Sequence, residues 1–161
     1  MEAPISIRQA ALADVGIIHR IIERSIRIGC ALDHLNRAQP VSDWIEQHNA
    51  DQLCRWLADS RMYLNIALLQ DKPVGVGMAS ADGDIALCHV QPEWFRRGVG
   101  RALIDDLEGW LRIRGVAHAH LCSTRTGEAF YRHLGYRDTA PSRLHKGLQT
   151  LPMSKPLPPP C

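Results

Sequence analysis

Two glycines stand where a helix should begin. The stretch "PEWFRRGVGRAL", residues 92–103, leaves an apolar strand, passes Arg96 and Arg97, and sets Gly98 and Gly100 at the head of a run with helical periodicity. In that run Val99, Ala102, Leu103, Leu107, Trp110 and Leu111 recur at i, i+3, i+4 spacing, while Arg101, Asp105, Glu108 and Arg112 take the other face. That is a long amphipathic helix with one buried stripe. A helix start carries unpaired N–H groups and the positive end of the macrodipole, and glycines let the backbone come close to an anion. Strand, glycine turn and helix together can therefore seat an oxygen-rich group, with Arg96, Arg97 and Arg101 adding attraction. The dinucleotide fingerprint does not fit, because Leu103 occupies its third glycine position, and no Gly-Lys-Ser/Thr follows as a P-loop requires. On the residues alone, a plain turn with solvated arginines stays open beside the anion seat.

The rest of the chain fixes the setting of this turn. Ile5–Gln9 alternates like a strand, and Asp14 stands at an N-cap position before Ile18, Ile21 and Ile22 at helical spacing. "GCALDHLNRAQP", residues 29–40, breaks the pattern; "SDWIEQH" and "NADQLCRWLADS" then each open on a capping residue, predicting two short helices. "MYLNIALLQ", "PVGVGMAS" and "DIALCHVQ", separated by turn residues, predict a three-strand antiparallel meander. After the long helix, Gly115 serves as a C-cap, "VAHAHLC" reads as a buried strand, and "TGEAFYRHLGY" as a short helix ended by Gly135. One or two strands follow between Tyr136 and Lys155, and "PLPPPC" reads as an extended tail leaving the domain. The order predicts an α+β fold, a mixed, mostly antiparallel central sheet flanked by helices in three layers.

A chain of 161 residues with 45% apolar content suits one domain, residues 1–157, with a proline-rich tail at 158–161. A formal charge of +2 gives no reason to expect nucleic acid as a partner, and the arginines lack interleaved aromatics for base stacking. No apolar run is long enough for a membrane span, and the odd set of five cysteines lacks CxxC spacing, so reduced thiols in a cytoplasm are expected. His118 and His120 alternate on one strand without a third ligand at a convincing spacing, so no metal site is expected.

"HVQPEWFRRGVGRALI" resembles the acetyl-CoA-binding motif of the GCN5-related N-acetyltransferases (GNAT), in which a strand ending in V-x-P leads through Q/R-x-x-G-x-G-A/G into a long helix. Phe95 departs from it, standing where the family often has Gln or Arg. "TRTGEAFYRHLGYR" resembles the family's second segment, with Thr124, Gly127, Phe130, Tyr131, Gly135 and Tyr136 in matching places, and "PMSKPL" looks like its final strand. The resemblance spans about residues 5–157.

It implies a gap between strands four and five that takes the pantetheine arm of acetyl-CoA on the main chain of His89 and Val90. The pyrophosphate would lie over Arg96, Arg97, Gly98, Val99, Gly100 and Arg101, with Thr124 and Gly127 completing the cofactor site. Tyr131 maps to the family's general acid, and a phenol with pKa near ~10 can donate to a thiolate whose conjugate acid is near ~8.5. For the general base, Asp84, sixteen residues before Gly100, aligns with a strand-four carboxylate, while Asp33 and His34 lie in the loop that borders the acceptor pocket in this family. A turn Asp and a solvated loop His are the structural alternatives. His89 could order a water in the gap. The family transfers acetyl directly, so Cys88 and Cys122 are expected as packing thiols rather than acyl carriers. The implied activity is acetyl transfer from acetyl-CoA to a primary amine of a small molecule or peptide. The competing reading is a non-catalytic acetyl-CoA-binding module that acts on a protein partner. Dimerisation through the final strands is left open.

Overall fold

The computed structural model describes residues 4–30, 37–145 and 148–159. Strand β1 (Ile5–Gln9) is followed by a 3-10 turn (Leu12–Asp14), helix α1 (Val15–Arg24) and a π-turn (Ser25–Gly29) that extends it. Helices α2 (Ala38–Glu46) and α3 (Ala50–Ala58) lead into the meander β2 (Met62–Leu69), β3 (Lys72–Ser80) and β4 (Ile85–Val90). A 3-10 turn (Pro92–Trp94) and the glycine stretch enter α4 (Val99–Ile113), after which come β5 (His118–Thr124), α5 (Glu128–His133), β6 (Arg137–Asp138), β7 (Arg143–His145) and β8 (Leu148–Pro156).

The predicted α+β order holds, but the sheet comes in two parts. β1-β2-β3-β4 form one antiparallel sheet, while β8 pairs with β5, β6 and β7 in another. The two parts meet through a parallel bridge of Asp84 with His120, where the His120 N–H donates to the Gly83 carbonyl at 2.9 Å. From that join β4 and β5 diverge.

Hydrophobic alternation sends side chains to both faces of the first sheet. On one face Leu64, Ile66, Val76, Met78 and Leu87 pack against Ile18, Ile21, Ile22 and Ile26, with Trp44 and Leu53 from α2 and α3. On the other, Ala67, Leu69 and Val74 pack against Val99 and Leu103 of α4, and Leu107 and Leu111 continue that stripe under Ala79, Ala119 and Leu121. Full burial of Ile18, Ile21 and Ile22 of α1 stabilises the fold by roughly 1.5–3 kcal/mol each. This fixes the two layers between which the fork of β4 and β5 opens.

Several local expectations change. Asp14 does not cap α1 with its side chain; its carboxylate accepts from the Ala11 N–H at 2.8 Å and pairs with Arg8 at 2.9 Å, closing the preceding turn. Asn49 does cap α3, accepting from the Gln52 N–H at 2.9 Å. β5 buries one face only, alternating exposed and buried from His118 onward. Glu108, expected on the polar face of α4, is buried, because β8 folds over it: Lys155 Nζ donates to it at 2.9 Å and the Tyr136 hydroxyl at 2.8 Å. The tail is extended yet held, with Arg112 donating to the carbonyls of Pro158 and Pro159 at 3.0 and 3.3 Å. No helix among the described residues is long and apolar enough to cross a membrane.

Candidate active site

The fork opens into a cleft of about 1100 Å³. Its floor is β4, whose alternate residues face opposite layers, and its sides come from the π-turn and α2 on one hand, and from α4, β5 and α5 on the other. Of the residues singled out in the sequence, His89, Val90, Arg96, Gly98, Val99, Gly100, Arg101, Thr124, Gly127 and Tyr131 all line it. Arg97 does not; its guanidinium lies over the Trp94 ring, 5.3 Å from the centroid. Asp84 is exposed at the closed join of the fork and is also outside the lining, so the fold does not bring this carboxylate to Tyr131. Asp33 and His34 lie outside the described residues.

The glycine turn has the backbone that its sequence demands. Gly98, at the N-cap of α4, has φ +85°, and Arg96 two residues earlier has φ 61°. A left-handed conformation costs an L-residue about 1–2 kcal/mol and glycine almost nothing. Gly100 meets a different constraint: a Cβ there would approach the Phe130 ring at 3.0 Å. The turn therefore lies tight against α5 with its N–H groups at the head of α4, ringed by the exposed Arg96 and Arg101. Phe95 takes no part in this cradle. Its ring rests on Gly29 at the end of the π-turn, 42% exposed and lining the cleft. Arg24, at the end of α1, ties the same corner by donating to Gln91 and to both carboxylate oxygens of Glu93. That guanidinium holds the Glu93 carboxyl down at about 2.

Where β4 passes the cleft, it carries Cys88 toward α4 and His89 toward α1. The Cys88 thiol reaches the Gly100 carbonyl at 3.9 Å and lines the cleft together with Tyr131. Burial pushes this thiol up to about 12, against a smaller opposite pull from Tyr131. Burial likewise raises the Tyr131 phenol well above its ordinary value, with Cys88 and Tyr136 adding to the effect. Both groups keep their protons. A thiol held so far from its thiolate is a poor nucleophile, which fits packing rather than acyl transfer through Cys88. Cys122 is exposed on the cleft wall of β5.

On the opposite face, His89 Nδ1 lies 3.0 Å from Ser25 Oγ. Burial, helped by nearby His48, pushes His89 down to about 3, so its ring is neutral. No sequence feature marks His48, which ends the run "SDWIEQH". In the fold it lines the cleft with its ring centroid 6.2 Å from that of His89. Only tertiary packing brings these two histidines together, so no local pattern could have marked the pair. Among the described residues no three His, Cys, Asp or Glu side chains gather as a metal site.

A strand fork, an amide-rich glycine turn at its mouth and a protonated tyrosine at its throat define an acyltransferase fold of the kind that takes its acyl group from CoA. Residues 32–157 match the model of the acetyltransferase (GNAT) domain, and the chain belongs to that family. Over 63 residues it is 41% identical to "Probable N-acetyltransferase 14" of Danio rerio, a match covering 36% of this chain and 22% of that protein. A GCN5-related N-acetyltransferase from Rhodopseudomonas palustris superposes with a TM-score of 0.86 at 24% identity, over 98% of each chain. The PaiA N-acetyltransferase of Thermoplasma acidophilum, solved in complex with coenzyme A, gives 0.83 at 16% identity over 95% of this chain and 99% of its own. GNAT acetyltransferases use acetyl-CoA, and the cleft fits such a group. It has the necessary volume, a strand edge facing it and a left-handed glycine turn at one end.

Proposed function

We propose that the protein transfers the acetyl group of acetyl-CoA directly to a primary amine of a small molecule or peptide, with Tyr131 as general acid. The main chain of His89 and Val90 would hold the pantetheine arm. Residues Arg96 and Gly98 to Arg101 would hold the pyrophosphate, with Thr124 and Gly127 on the facing wall. Acetyl-CoA supplies the activated acyl carbon and a sulfur leaving group. The protein's own task is to present the amine, exclude water and deliver a proton to that sulfur.

The observation that carries this reading is the place of Tyr131: it lines the cleft with Cys88 and with Gly98, Val99 and Gly100 of the glycine turn, close enough to Cys88 for the two groups to influence each other's titration. A phenol at the throat of the cleft, beside the glycine turn, stands where the sulfur of a bound thioester would lie. Because burial keeps the phenol protonated, the proton is available across the neutral pH range. A cytoplasmic location suits a consumer of acetyl-CoA.

The test mixes the protein and acetyl-CoA with a panel of alkylamines, aminosugars, polyamines and peptides bearing a free α-amine or lysine, and follows thiol release. Acetyl-CoA binding with no release above background would favour a non-catalytic acetyl-CoA-binding module. With an active acceptor in hand, Tyr131→Phe should lower kcat about 10²-fold and leave the CoA Kd within about threefold. Equal losses in both would make Tyr131 structural.

A further inference from the structure

Resting on that reading, we propose that His48 is the group that takes the proton from the acceptor amine. It sits just beyond α2 and lines the cleft together with Ser25, Asp43, Trp44 and His89, on the side away from Tyr131 and the glycine turn. Its Nδ1 lies 2.9 Å from the main-chain carbonyl oxygen of Trp44. A carbonyl can only accept, so in the neutral ring Nδ1 carries the hydrogen and Nε2 holds the lone pair. The ring is kept in place by Trp56 of α3, at 5.9 Å between centroids, and by His89 of β4 at 6.2 Å. One nitrogen is thus pinned to the backbone and the other is a proton acceptor, the arrangement a general base requires.

The surroundings set the strength of this base. Among the described residues, the titratable groups that face it are His19 from α1 and His89 from β4, with Asp43 of α2 lining the same cleft. Burial lowers the His48 pKa from its ordinary value, the Trp44 carbonyl opposes that shift and His19 adds to it. The ring is therefore neutral at pH 7 and ready to take a proton. His89 cannot compete, since at about 3 it is too weak a base.

The proton count closes. Ammonium plus thioester gives amide plus thiol plus one proton: a C–N bond replaces the C–S bond, and the amine nitrogen gives up two hydrogens. The first leaves to His48 Nε2, and its N–H electron pair becomes the nucleophile. The second restores the proton that Tyr131 delivers to sulfur. The His48 proton then passes to solvent.

His48→Asn tests the assignment, because its amide NH₂ can still donate to the Trp44 carbonyl while Nε2 is gone; His48→Gln is read in the same way should that variant fail to fold. The probe is the best acceptor of the amine panel, with kcat/KM measured over roughly pH 5 to 10. In the wild type, log kcat/KM should rise with unit slope and level off below the ordinary imidazole value of ~6.5. In His48→Asn the rising limb should extend to the acceptor's own amine pKa, near ~10 for an alkylamine, with about a 10²-fold loss at pH 7. Its CoA Kd by calorimetry should stay within about twofold of wild type. A variant whose limb stays where the wild type's lies overturns the role of His48 and leaves the acetyltransferase reading standing. A wild type that turns over no amine overturns both.

Discussion

The throat of the cleft and its mouth are built on opposite electrical principles. At the mouth, Arg96 and Arg101 stand exposed around a turn of backbone amides, an arrangement suited to an anion and open to screening by salt. At the throat, Cys88 and Tyr131 are half-buried and His89 buried, and desolvation leaves all three uncharged. Burial acts in opposite directions there, lowering the histidine and raising the thiol and phenol, yet the result is the same. A cofactor with charged phosphates at one end and an uncharged thioester at the other matches this gradient. The two regions are only one strand and one turn apart because β4 runs straight from throat to mouth.

The sharpest way to break this comparison is at the mouth. Gly98→Val places a β-branched residue at φ +85°, which should cost about 2 kcal/mol or force the turn to rearrange. Calorimetry should record a loss of roughly 30-fold in CoA affinity, with kcat at saturation much less affected. Unchanged affinity would mean that the amides of this turn do not hold the phosphates. The throat is tested by acid. His89 takes up its proton near ~6.5 in the unfolded chain and only near 3 in the folded one, so the stability it contributes is complete above the first value and lost as pH falls toward the second. At pH 5 that loss is about 2 kcal/mol relative to pH 7. Denaturant unfolding of His89→Asn should show a correspondingly smaller drop between those pH values; an equal drop would place the acid sensitivity elsewhere. The smallest effect is expected at Phe95→Gln, where the ring rests on Gly29 rather than in the amide cradle. CoA affinity should shift by no more than about threefold, and a larger gain would show that the family's polar side chain at this position reaches the phosphates here as well.

Much of the fold was legible because each element announces itself locally. The alternation in β1 to β4, the Asn49 cap and the i, i+3, i+4 stripe of α4 depend on neighbours in sequence, and the structure keeps them. The split in the sheet was not legible from periodicity, because a strand that has lost a partner on one edge has the same side-chain pattern as one that keeps it. Glu108 differs for a related reason: its place on the polar face of α4 holds until Lys155 arrives from β8 and Tyr136 from the turn between α5 and β6. Asp14 was correctly seen as a capping residue but given the wrong turn, since Arg8 and the Ala11 N–H draw its carboxylate backward. In the site, the glycine turn and Tyr131 are marked by resemblance to the family's two motifs, since spacing alone leaves a plain turn and a core aromatic open. His48 carried no such signal; its tautomer and its neighbour His89 are set by contacts that only the folded chain makes.

The divergence of β4 from β5 also bears on how this protein behaves when no ligand is present. Beyond the Asp84–His120 bridge, two strands turn their facing backbone edges toward a cavity instead of toward each other. Open edges of this kind are templates for strand addition, and most proteins shield them with charge, proline or a covering loop. Under the proposed function, an extended cofactor chain lying between the strands would be the shield. The cofactor would then act as a solubility partner as well as a reactant, guarding the inside of the sheet against pairing with another chain.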